Sequence, residues 1–97
     1  MALTSKQRQF LRGQAHLLAP VVRIGHGGVT DGVTAETKRS LTAHELIKVR
    51  IEAAGDTKKA LAEELASAVD AEIAGVIGKM AILYRARDED PEIELPQ

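Results

Sequence analysis

The stretch Val21-Val22-Arg23-Ile24-Gly25-His26-Gly27-Gly28-Val29-Thr30 decides how this chain is read. Val21, Val22 and Ile24 are β-branched and suit a short strand. Gly25, Gly27 and Gly28 end that strand, and Thr30 is a good N-cap for a helix over residues 31–44. A strand running through a glycine loop into a capped helix is a junction of an α/β domain. Glycine lets backbone approach a ligand closely and permits positive φ, while a helix start offers free N–H groups. The loop therefore reads either as a cradle for phosphate groups or as a tight turn needing glycine for geometry alone. Asp31, in the first helical turn, opposes an anion at that helix start.

Upstream, Thr4 and Gln7 have the spacing of a capping box. Leu11, Ala15 and Leu18 recur at i, i+4 and i+7, flanked by Phe10 and Leu17, which predicts a helix ended by Pro20. Lys6, Arg8 and Arg12 fall mostly off that stripe and give the helix a basic exposed side. Downstream, Val33, Thr37 and Leu41 mark the buried side of the second helix. Leu46-Ile47-Lys48-Val49-Arg50-Ile51 alternates strictly, so Lys48 and Arg50 form the basic outer face of a half-buried strand. Gly55-Asp56 reads as a turn and cap before a third helix with the stripe Leu61, Leu65, Val69. Residues 73–77 and 80–85 read as strands joined by Gly78-Lys79, a hairpin signal. The expected order is αβαβαββ: an α/β domain with a mixed four-stranded sheet and three helices.

The 97 residues allow one domain, expected over residues 1–85 and followed by a flexible acidic tail, 86–97. No cysteine is present, which excludes disulfides, thiolate nucleophiles and Cys-ligated zinc. Phe10 and Tyr84 are the only aromatics, so recognition by stacked aromatic platforms is disfavoured. The net charge of −1 also argues against a nucleic-acid partner until it is segmented. Residues 1–50 hold eight basic and three acidic groups, net +5, whereas 51–97 hold five and eleven, net −6. Five of those acids lie in the last ten residues, and the body up to Arg85 is net +3. This asymmetry points to a polyanionic partner or an acidic tail. The N-terminal residues lack the apolar core of a signal peptide and no run is long enough to span a membrane, so a cytoplasmic location is expected.

Catalysis finds little support. No P-loop spacing occurs, and a dinucleotide fingerprint from Gly25 would end on Thr30, with only Glu52 as its later acid. His16, His26 and His44 lie in three segments without the i, i+4 spacing of a helical metal site. Ser5, Ser40 and Ser67 lack partners at the spacing of a nucleophile. The chain is expected to be no enzyme and to use no cofactor, metal or small-molecule substrate.

Five runs resemble the CRM domain, the chloroplast RNA splicing and ribosome maturation domain, in its bacterial stand-alone YhbY-like form. They are residues 15–22, residues 25–30, His44-Glu45-Leu46-Ile47-Lys48-Val49-Arg50, Ile77-Gly78-Lys79 and Leu83-Tyr84-Arg85. The resemblance spans about residues 3–85 with its runs in register. It implies a non-catalytic RNA-binding domain associated with precursors of the large ribosomal subunit. It also implies a GxxG loop, Gly25 to Gly28, as an RNA-contacting element. Family members often carry lysine within that loop, where this chain has His26 and Gly27, so charge must come from neighbouring residues. The expected RNA-binding set is Gly25, His26, Gly27, Gly28 and Thr30 with Lys6, Arg8, Arg12, Arg23, Lys48, Arg50, Lys79 and Arg85. The chain is expected to act as a monomer. The competing expectation is a protein-interaction module that docks on a basic partner through the third helix or the acidic tail.

Overall fold

The computed structural model describes residues 2–97. Its elements are α1 (Ser5–Ala15), β1 (Pro20–Ile24), α2 (Asp31–His44), β2 (Leu46–Ile51), α3 (Gly55–Ala68), β3 (Glu72–Ile77) and β4 (Met80–Tyr84). The order is αβαβαββ, as the periodicities predict. The Thr4 hydroxyl accepts from the Gln7 N–H while the Gln7 side chain accepts from the Thr4 N–H, completing the capping box. α1 stops at Ala15 rather than running on to Pro20. His16 and Leu18 donate N–H groups to Gly13 and Ala15 in short turns, which leaves Leu17 and Leu18 exposed outside the helix. Only Leu11 and Ala15 of the expected stripe are buried.

On α2 the Thr30 hydroxyl accepts from the Val33 N–H at 3.1 Å. Thr37 is wholly buried, and its hydroxyl donates to the Val33 carbonyl at 2.7 Å, so burial leaves that hydroxyl paired. α3 has Ala54 at its N-cap with no side-chain cap bond, so the cap expected at Gly55-Asp56 does not form. Asp56 lies instead in the first turn, where its charge complements the helix dipole.

The sheet order is β1-β2-β4-β3, with β1 parallel to β2 and the other pairs antiparallel. β1 and β2 run parallel because α2 crosses between them, and β3 and β4 are antiparallel across the hairpin at Gly78-Lys79. Helices cover both faces. Ile24, Ile47, Val49, Ile51 and Leu83 pack under α2 and α3, together with Leu41, Leu65 and Val69. On the other face α1 seats Leu11 and Ala15 against Leu46, Ile82 and Tyr84. The face of Lys48 and Arg50 is thus not freely exposed: α1 covers part of it, burying Leu46 and leaving Lys48 and Arg50 half-buried. Alternation locates a face but not the helix that crosses it.

Residues 86–97 hold no regular element, yet they lie against the domain instead of extending freely. Ile93 and Leu95 pack on the α1-side core, and Gln7 and Lys6 donate to the Pro96 and Gln97 carbonyls. The anchor is Glu45, wholly buried just after α2 at φ 59. Its carboxylate accepts N–H bonds from Arg87 (2.8 Å), Glu92 (2.6 Å) and Ile93 (2.9 Å). Composition alone reads this segment as solvated; three backbone donors aimed at one carboxylate tie it down.

Candidate nucleic-acid interface

Both parallel strands end on the same side of the sheet, and the hairpin joins them there. Glu52 donates its N–H to the Ile24 carbonyl at 3.0 Å, and Ile51 donates to the Lys79 carbonyl at 2.7 Å. These bonds bring the start of the glycine loop, the end of β2 and the β3–β4 turn together. Clefts beyond the carboxyl ends of parallel strands are common binding places in α/β sheets. Here the cleft is lined by Arg23, Gly25, His26, Glu52, Ala53, Ala54 and Lys79.

Within the loop, Gly28 donates its N–H to the Gly25 carbonyl at 3.1 Å, closing a turn. Gly28 has φ +73, which L side chains rarely adopt, so this glycine is required by geometry. Gly25 and Gly27 have no such φ. A Cβ at Gly25 would meet nothing within 4 Å, and one at Gly27 would touch only the Thr30 methyl at 3.5 Å. The turn needs one glycine of the three, and the other two leave backbone uncovered at the surface. His26 is exposed between them.

Glu52 organises the charge. Its Oε1 pairs with Arg23 at 3.2 Å and accepts from Arg50 Nε, and its Oε2 lies 3.6 Å from Lys79 Nζ. The carboxylate is recessed at 19 % exposure, while Arg23 is 70 % and Lys79 54 % exposed. Three cations around one carboxylate leave the cluster at net +2. The Arg50 hydrogen bond, outweighing partial burial and aided by the charges of Arg50, Arg23 and Lys79, holds the Glu52 carboxyl below the usual carboxylate range. Both aromatic rings are drawn into the interior, Tyr84 fully and Phe10 in part, so neither offers a stacking platform beside the loop.

A family model for the CRS1 / YhbY (CRM) domain matches residues 3–85. The chain belongs to the CRS1/YhbY (CRM) domain family. This CRM domain is 42 % identical over 96 residues to a Haemophilus influenzae protein named RNA-binding protein, covering 98 % of this chain and 96 % of that one. It is 38 % identical over 95 residues to the Bacillus subtilis "Probable RNA-binding protein YqeI", covering 97 % and 99 %. The solution structure of SAV1595 from Staphylococcus aureus superposes with a TM-score of 0.86 at 42 % identity, covering 97 % of this chain and 99 % of that one.

The CRM fold gathers part of the residue set read from the sequence. Arg23, Arg50 and Lys79 meet around Glu52, and Arg23 and Lys79 line the cleft with Gly25 and His26. Lys48 shares the Arg50 face two residues back, where its Nζ donates to the His16 carbonyl at 3.2 Å. Arg12 lies across β3 and donates to the Ala74 carbonyl at 3.0 Å. Gly75 makes room for it, since a Cβ there would come within 2.7 Å of Arg12 Cδ. Arg8 turns back to the Leu3 carbonyl and Ser5 Oγ, and Lys6 faces the tail at Gln97. Thr30 serves as the α2 cap. Arg85 is not brought to the loop. It ties the other end of the domain by donating to Val69, Lys38 and Thr42, about 17 Å away by the rise of β2. The sequence reading passes over Glu52 as a member of this cleft; its one signal is its place directly after a strand of alternating basic residues.

Among the described residues no group of three or more His, Cys, Asp or Glu is placed to hold a metal ion. Nor, among the described residues, is any helix long and apolar enough to cross a membrane.

Proposed function

We propose that this CRM domain binds RNA without catalysing a reaction, and that its target in the cytoplasm is ribosomal RNA in a precursor of the large subunit. One observation carries the reading: Gly25, a glycine that the turn does not need, and the exposed His26 line a cleft together with Arg23 and Lys79, whose charges and that of Arg50 meet at Glu52. Open backbone beside clustered cations suits a sugar-phosphate chain. The same arrangement offers no ring pair for stacking bases, so shape and backbone dominate recognition. Lys48 and Arg12 extend the positive surface along the α1-side face, and His26 adds a polar contact from the loop tip. The names of the Haemophilus influenzae and Bacillus subtilis relatives support the same chemistry.

The test is fluorescence anisotropy with a labelled fragment of large-subunit precursor RNA and a non-ribosomal RNA of equal length, in a salt series. With five or so phosphate contacts, affinity falls on the order of a hundredfold between about 50 and 200 mM salt. A flat salt dependence overturns the RNA reading, and equal affinity for the two RNAs overturns the ribosomal target.

A further inference from the structure

The cleft beside Gly25 and His26 contains a carboxylate where a polyanion is to bind, and RNA binding alone does not explain it. Resting on the RNA reading above, we infer that Glu52 is a specificity-determining residue: a resident counter-ion that RNA phosphate must displace from Arg23 and Lys79.

The geometry separates the three cations. Arg50 is two residues from Glu52 on the same run of chain and donates a direct hydrogen bond through Nε. Arg23 comes from β1 and Lys79 from the hairpin, at 3.2 and 3.6 Å, and both are more exposed than Arg50. Exposed ion pairs of this kind are weak, so Arg23 and Lys79 exchange partners readily while Arg50 stays with the carboxylate. The charge of Glu52 persists at neutral pH because its cationic neighbours favour the ionised form. An incoming anion therefore meets repulsion from Glu52 and competition for two cations. A bare polyphosphate carries charge on every unit with no spacer between, so it sets more charge against Glu52. RNA spaces its phosphates with sugars, which meet the open backbone at Gly25. Glu52 thus lowers affinity for closely spaced polyanions more than for RNA, which is how an unfavourable element confers specificity.

The experiment compares the full chain with Glu52→Gln, whose amide keeps the side-chain shape and an oxygen to accept from Arg50. Binding is measured to a single-stranded RNA and to inorganic polyphosphate of similar charge, with melting temperature as a check on folding. Polyphosphate affinity is expected to rise about tenfold and RNA affinity about threefold, the order expected for removing one repulsive charge from a partly exposed site. The preference for RNA then falls about threefold, and Glu52→Ala repeats the change with Arg50 left unpaired. Unchanged affinity for both ligands in a folded Glu52→Gln chain overturns the inference and leaves RNA binding standing. Weakened RNA binding overturns it too, because Glu52 then contacts or orients the RNA. A native chain that binds no RNA overturns the RNA reading itself, and this inference with it.

Discussion

Two recessed glutamates sit at opposite ends of β2, one residue outside each end of the strand, and they do opposite things. Glu45 is wholly buried and takes three backbone N–H groups from residues 87, 92 and 93. Glu52 is partly open and takes the side chains of Arg23, Arg50 and Lys79. Backbone donors have nowhere else to go once the tail is packed, so Glu45 holds a segment in place. Side-chain cations on flexible stems can leave for another anion, so the Glu52 cluster is open to exchange. One carboxylate is part of the fold and the other part of the proposed interface, and the type of donor sets the difference.

The strongest way to break this contrast is Glu45→Ala. It leaves three amide groups without their acceptor and is expected to cost about 2–3 kcal/mol in denaturant unfolding, with the tail becoming sensitive to protease. RNA affinity should hold, because the loop cleft lies at the other end. Deleting residues 86–97 sharpens the same point: stability drops while RNA binding is kept or rises. A chain that loses its only partner on this deletion is instead a docking module working through the tail.

Next in size is Gly27→Asp at the interface. It puts bulk and a negative charge on open backbone, and RNA affinity should fall about tenfold while the melting temperature stays nearly constant. A large loss of stability would mean that residues 25–28 are a structural turn and no more. Gly28→Ala is the matched opposite, costing about 1 kcal/mol through its positive φ.

Acid should act on the two ends unequally. Burial alone would raise the Glu45 pKa, but the N–H bonds from Arg87, Ile93 and Glu92 and the charge of Arg87 together lower it from its ordinary 4.5. A carboxyl that is more acidic folded than unfolded contributes stability above about pH 4.5, and that contribution disappears as pH falls through the folded value. Amide exchange at Arg87, Glu92 and Ile93 should therefore accelerate below that range before the sheet amides lose protection. The smallest effect is expected for Arg85→Ala, which should change RNA affinity less than twofold while lowering the melting temperature, since its guanidinium bonds α2 and the end of α3. A large loss of RNA affinity would extend the interface to the far end.

The element order was legible because periodicity is a local property. Residues 46–51 alternate, Leu61, Leu65 and Val69 recur at helical spacing, and the glycines at 25, 27, 28 and 78 punctuate the rest. A capping box fixes the start of the helix after Thr4, while the apolar period carries the expected helix past its actual end at Ala15. Leu18 keeps the period there, but the chain has already turned at Gly13 and Ala15. The candidate site was legible only in outline. Strand order places Arg23, Arg50 and Lys79 side by side from three separate segments, and no spacing along the chain encodes that meeting. The same holds for Arg85, which adjoins the fourth strand yet ends at the wrong end of it.

By itself, then, the sequence determined the α/β element order, the glycine loop ahead of a capped helix, and a basic body with acids gathered at the end. These follow from neighbours three, four or two residues apart, whose interactions need no knowledge of the rest of the chain. Only the tertiary structure decided which cations share a cleft, that α1 lies over the Lys48 side of the sheet, and that residues 86–97 are docked. It also assigned the two glutamates their parts. A carboxylate is the same group at 45 and at 52; what it does depends on whether the donors brought to it across the fold are backbone amides or mobile side chains.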